Sequence, residues 1–314
     1  MSLKKLIITV AILMVLVICI AIVAFQEDGQ TTLSTPEQIF EEQKETENPS
    51  AELELDPLHP ILTEDSIGYS LQSDELNITY NNGKSWTTVP VAISDLFSGE
   101  YNGNQQELIE NSFVLNKERA AFLYTDGQNL ASQRVVLKYS MDQGNTWQDG
   151  VVSEQFPVLR FRKVAFLNDQ FGYVILSGDR TMSQEYSVVF ITNDGGVTWK
   201  ETNDSGVTRL ISDGGFIDET TGFLSFGTIN PEEPDFYVTQ NSGESWTKSN
   251  IQIPTEFKQI FVTAEIPFKE DDHLAVLINQ GPNGDYQGGK VKGKFISTDN
   301  GLNWTFQKEV VPCE

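Results

Sequence analysis

A chain of 314 residues, 39% hydrophobic and 11% aromatic, carries enough apolar mass for a packed core and is not a disordered polymer. Its formal net charge of -24 excludes nucleic acid as a partner, because phosphate binding needs a basic stripe, and disfavours acidic membrane surfaces. The two cysteines, Cys19 in an apolar N-terminal run and Cys313 near the C-terminus, exclude a disulfide framework, so the core alone must stabilise the fold.

Residues 1–5 include Lys4 and Lys5, and Leu6–Phe25 follows as twenty residues without a charge. At about 1.5 Å per residue such a helix spans the roughly 30 Å hydrocarbon layer, so residues 6–25 are predicted to be a transmembrane signal anchor. The lysines before it, with Glu27 and Asp28 after it, leave residues 1–5 cytoplasmic and place everything downstream outside. A cleaved signal fits less well, because Ile22 would occupy the outer specificity position before Ala24. A lipoprotein also fits less well, because Ile18 stands where a small residue should precede Cys19. Residues 26–58 are acidic and polar, a disordered tether that charge repulsion would extend. Residues 59–314 are then the folded, extracytoplasmic part of a single-pass cell-membrane protein.

One octet recurs five times: Thr79–Trp86, Ser140–Trp147, Thr192–Trp199, Thr239–Trp246 and Ser297–Trp304. Each has Ser or Thr first, Asp or Asn third, Gly fifth and Trp eighth, and all five tryptophans of the chain fall in this register. The residue types suit a tight turn between two strands. Asn81, Asp142, Asp194, Asn241 and Asp299 can accept backbone N–H bonds inside it, and Gly83, Gly144, Gly196, Gly243 and Gly301 can supply positive φ. Trp86, Trp147, Trp199, Trp246 and Trp304 then open the next strand, offering apolar surface to a neighbouring sheet while each indole N–H seeks a carbonyl. A weaker repeat precedes the octets at Leu62–Tyr69, Phe166–Tyr173 and Phe216–Phe223. One unit therefore reads as strands Arg162–Leu167, Tyr173–Ser177, Ser187–Thr192 and Thr198–Glu201.

This pattern resembles the Asp-box, or BNR, repeat of sialidase-like, sortilin-like and photosystem II assembly/stability-factor-like exported propellers, over about residues 60–310. Asn replaces Asp in the first and fourth copies, and Asn303 replaces the hydroxyl residue of the fifth. The resemblance implies an all-β fold, a β-propeller of four-stranded antiparallel blades. Five blades are favoured, with room for a degenerate sixth in Pro90–Ser112.

The octets join the third and fourth strands of each unit, so the opposite end should carry the second-to-third loops and the links between units. The predicted loops are Tyr124–Arg134, Ser177–Tyr186, Gly227–Asp235 and Asn279–Lys290, and the predicted links Ala92–Glu110, Val151–Arg162, Asn203–Arg209 and Ser249–Gln259. Arg134, Arg160, Arg162, Arg180 and Arg209 map there with Tyr186, either paired with nearby carboxylates or forming a face for a carboxylate-bearing partner. The sialidase resemblance implies three arginines on a substrate carboxylate, one of them ahead of the first octet, with a Tyr–Glu nucleophile pair and an Asp acid/base. Here no arginine precedes Arg119, and Glu185–Tyr186 and Asp285–Tyr286 are adjacent residues that a strand would point to opposite faces. His59 and His273 stand apart from any cysteine, so a triad or transition-metal site lacks its materials. Gly281–Gly293 is glycine-rich without a phosphate loop's Gly-Lys-Ser/Thr ending. No catalytic residue, metal or cofactor is expected. The expected role is a non-enzymatic scaffold for an extracytoplasmic protein, held at the membrane by its N-terminal helix; the alternative is a glycan-binding or sialidase-like glycoside hydrolase module.

Overall fold

A computed structural model describes residues 57–127, 132–227, 231–281 and 284–311, which belong to one unit spanning Asp56–Glu314. The predicted anchor and residues 26–56 of the predicted tether lie outside the described residues. Among the described residues no helix is long and apolar enough to cross a membrane.

Five sheets follow one another along the chain. The first contains β1 (Ile61–Leu62), β2 (Gly68–Ser70), β3 (Asn77–Thr79) and β4 (Thr87–Thr88). The second contains β5 (Phe113–Leu115), β6 (Ala120–Asp126), β7 (Gln133–Ser140) and β8 (Gln148–Phe156). The third is β9 (Leu159–Phe166), β10 (Gly172–Thr181), β11 (Gln184–Thr192) and β12 (Lys200–Glu201), and the fourth β13 (Ile211–Phe216), β14 (Gly222–Phe226), β15 (Asp235–Thr239) and β16 (Thr247–Lys248). These four are antiparallel meanders with strands in sequence order. The fifth adds to β18 (Phe261–Ala264), β20 (His273–Gln280), β21 (Lys292–Ser297) and β22 (Asn303–Val310) two extra strands: β19 (Phe268–Glu270) on β20, and β17 (Asn250–Gln252) parallel to β22. Pro90–Ser112, where a sixth blade would fit, holds one helical turn, Ile93–Leu96, and no strand.

Strand alternation explains how the sheets stack. Successive side chains leave a strand on opposite faces, and in β10 Val174 and Leu176 join one apolar cluster while Tyr173 and Ile175 join another. Likewise Ala121 and Leu123 of β6 face the third sheet, whereas Ala120 and Phe122 face the first. Both faces of the middle sheets are therefore covered, which is why their inner strands read as near-continuous apolar runs. Four clusters join consecutive sheets, from first with second through fourth with fifth. None of these four joins the fifth sheet to the first.

All five octets make the same turn. The leading hydroxyl oxygen accepts from the glycine N–H at 2.8–3.0 Å, as from Gly83 to Thr79 and from Gly144 to Ser140. The third residue's Oδ1 accepts from the seventh residue's N–H, as from Thr198 to Asp194 at 2.9 Å and from Ser245 to Asn241 at 3.0 Å. The glycines have φ between +80° and +102°, where a Cβ is strained. The tryptophans of the second to fifth sheets pack in the cluster shared with the preceding sheet. Trp304 is fully buried, Trp86, Trp147, Trp199 and Trp246 are half-buried, and Trp86 belongs to none of the four clusters.

Candidate functional site

At the octet end each octet's leading hydroxyl and third-position carboxyl or amide oxygen are consumed by their own turn. The opposite end differs from its expected layout. Ser177–Tyr186 is not a loop: β10 and β11 run on as a projecting hairpin with only Met182 and Ser183 between them, Met182 taking φ +56°. Arg180 and Tyr186 therefore stand on strands. The link Val151–Arg162 shrinks to Pro157 and Val158, and Arg162 lies inside β9 rather than on a solvated connection.

Four of the five arginines meet carboxylates of this chain. Arg134 lies 3.1 Å from Asp126 and 3.5 Å from Glu154, and Arg180 lies 3.4 Å from Glu100. Arg209 pairs with Asp235 and also donates to the Tyr237 hydroxyl at 3.1 Å. Arg160 forks onto the fully buried Glu185 carboxylate and reaches the Ile211 carbonyl at 2.7 Å, while the Ile211 N–H donates to Glu185 Oε1 at 2.6 Å. Tyr186 faces Glu201, its hydroxyl 3.3 Å from Oε1, and burial together with that carboxylate pushes its pKa up to about 12. No common guanidinium face forms.

Arg162 is the exception. It is 3% exposed and donates only to backbone, to the Leu96 carbonyl at 3.1 Å and to the Ser98 carbonyl. Burial alone lowers its pKa to about 10, with no carboxylate pulling it back up. The two arginines part because β9 bulges: Phe161 pairs with Ser177 and Leu159 with Gly178, leaving Arg160 without a partner on β10. A bulge re-aims the inserted side chain. Arg160 turns towards the fourth sheet, and Arg162 keeps its place beneath the link between the first and second.

A cavity of about 370 Å³ opens beside this bulge. The inner strands β9 and β13 supply Arg160, Phe161, Arg162 and Ser212, and the link before β5 supplies Tyr101, Glu107 and Glu110. Tyr101 is 62% exposed and lines the cavity. That link is braced from below, Leu108 N–H donating to the Tyr69 hydroxyl at 3.1 Å and Val164 N–H to the Asn111 carbonyl at 2.8 Å.

Two residues escaped sequence reasoning. Arg119 sits outside the loop set, yet its guanidinium donates to the Gly195 carbonyl at 2.6 Å and the Asp169 carbonyl at 3.0 Å and lies 3.6 Å from the Phe166 ring centroid. Glu185, weighed in the sequence only beside its neighbour Tyr186, is buried beneath Arg160. Neither partner is within twenty residues in sequence, so no local pattern could have signalled them.

No curated protein matches the chain. Among solved structures, a Dyadobacter fermentans protein of unknown function is 12% identical with a TM-score of 0.39, covering 62% of this chain and 66% of its own. A Xanthomonas campestris GH74 xyloglucanase is 10% identical with a TM-score of 0.34, covering 80% and 44%. A Trypanosoma rangeli sialidase mutant displaying trans-sialidase activity is 9% identical with a TM-score of 0.34, covering 67% and 40%. This chain thus spans less than half the length of the xyloglucanase and of the sialidase, and at such scores neither carries an argument about activity. The model of the DUF6242 beta propeller domain matches residues 21–280, well over half of the 314 residues, and the chain belongs to that family.

Proposed function

We propose that this chain is a non-enzymatic binding propeller, tethered outside the cytoplasm by residues 6–25 and 26–58, that holds a protein partner through the end opposite its octets. The octets act as Asp-box turns, and the five sheets act as five blades; closure of the fifth on the first is part of the proposal. The observation that carries the reading is the asymmetry of the two ends. At one end each octet spends its leading hydroxyl and its third-position carboxyl or amide oxygen on its own turn, whereas the other end carries a projecting exposed hairpin and the exposed Tyr101 ring. Variable elements on a rigid scaffold are where recognition resides.

The test is co-purification of the full-length chain from membranes. A loop-end variant, Tyr101→Ala with Arg180→Glu, is compared with an octet-end variant, Val197→Ser. Partners lost only from the first support the reading, and an identical set from both refutes it. The second reading, a glycan-binding or sialidase-like glycoside hydrolase module, draws on the exposed Tyr101 ring and the Glu107 and Glu110 carboxyls at one cavity. A sugar array and fluorogenic sialoside and xyloside assays on the same preparation decide it.

A further inference from the structure

The cavity beside the β9 bulge holds charges of both signs that the chain leaves uncancelled. Arg160 at its wall is neutralised by Glu185. Arg162, lining the same cavity, meets carbonyls only, and burial has stripped it of water. Two N–H groups are committed to Leu96 and Ser98, which leaves donors of the guanidinium fork unspent. Glu107 and Glu110, exposed residues that line the same cavity, have no basic partner among the described residues. Nor do they serve Arg162, whose depressed pKa carries no carboxylate contribution. The cationic wall and the acidic rim are therefore separate poles of one space.

That polarity selects among ligands. A simple anion would meet Glu107 and Glu110 and a chain of net charge -24. A simple cation would be drawn to the rim and repelled by Arg162. A neutral polyol would leave both poles without counter-charge. A ligand carrying an anionic and a cationic group a few ångströms apart satisfies both, and about 370 Å³ is room for a small one. We propose that this cavity binds a zwitterion of amino-acid or dipeptide size, its carboxylate at the Arg162 wall, its ammonium between Glu107 and Glu110, and its side chain under the Tyr101 ring.

This site stands whether or not a protein docks on the same end. Isothermal titration of the full-length chain in detergent micelles at low salt uses four probes: L-leucine, glycyl-L-leucine, N-acetyl-L-leucine and L-leucinamide. At least one of the two dipolar probes should bind about tenfold or more tighter than either singly charged derivative. The exposed double variant Glu107→Gln/Glu110→Gln should melt like the parent while its affinity for the dipolar probe falls to that for N-acetyl-L-leucine. No heat from either dipolar probe at about 10 mM, equal affinity for N-acetyl-L-leucine, or an unchanged double variant would each overturn the assignment. Partner capture by the unsubstituted chain separates the two claims: no captured partner with titration intact fails the scaffold reading alone, and a captured partner with no titration fails this one alone.

Discussion

Replacing Trp304 by alanine should cost far more than the same change at Trp86, although the two occupy the same octet position. Trp304 is fully buried, with ring centroids 6.2 Å from both Phe223 and Phe236 of the preceding sheet, and its indole N–H donates to the Gly301 carbonyl at 2.9 Å. Truncating a buried tryptophan costs about 3–5 kcal/mol from lost transfer energy and the cavity left behind. The Gly301 carbonyl keeps the Ser249 hydroxyl at 2.7 Å, so no orphaned acceptor adds to that sum. We therefore expect about 4 kcal/mol, a large part of a domain's whole stability. Trp86 is half-buried and outside the inter-sheet clusters, so about 1–2 kcal/mol is expected there. Urea unfolding of the full-length variants, followed by far-UV circular dichroism, gives both values if the m-values agree with the parent. Equal costs at the two positions would refute the claim that these indoles stabilise by wedging between sheets.

Asp194→Ala should cost about 1 kcal/mol at neutral pH, since three hydrogen bonds are lost at a largely exposed carboxylate, whereas Asp194→Asn should be nearly neutral because Asn241 closes the same turn. Burial pushes the Asp194 pKa up, but bonds from Thr198 and Thr192 outweigh it and hold it below the usual value. The alanine penalty should therefore be complete above about pH 4 and fade as pH falls through the depressed native pKa; acid titration of the two melting curves checks this. Gly243→Ala forces a Cβ at φ +82° to within 2.5 Å of the Thr202 Cβ and should cost about 2 kcal/mol or more, a tolerated substitution arguing against the turn geometry. Arg119→Lys cannot span the Gly195 and Asp169 carbonyls with one ammonium and should cost about 2 kcal/mol in the same melts; no loss would mean the clamp is incidental.

What the sequence made readable is what acts locally. An octet's polar circuit closes within eight residues, from Thr192 to Trp199, so residue type and spacing suffice to see it. Strand alternation was readable for the same reason, since whether Ile175 or Leu176 faces a given neighbour depends on parity alone. Parity does not say where a strand stops. The β10–β11 hairpin continues past its predicted ends because ladder bonds, not side chains, carry it to Thr181 and Gln184. Nor does it foresee β17, which lies parallel on β22 across fifty residues of chain.

The arginines show what loop mapping leaves open. It placed five of them at one end, either paired with carboxylates or forming a face, and an unbroken β9 would have set Arg160 and Arg162 on one side as a cationic pair. One inserted residue sends Arg160 to Glu185 and Ile211, where its charge is cancelled, and leaves Arg162 on the carbonyls of Leu96 and Ser98, where it is not. The electrostatic character of the cavity is thus set by backbone register. A substitution that removed the bulge would alter the site more than neutralising any exposed arginine, because it would bring the half-buried Arg160 guanidinium beside the buried Arg162 and strand the Glu185 carboxylate in a dry interior.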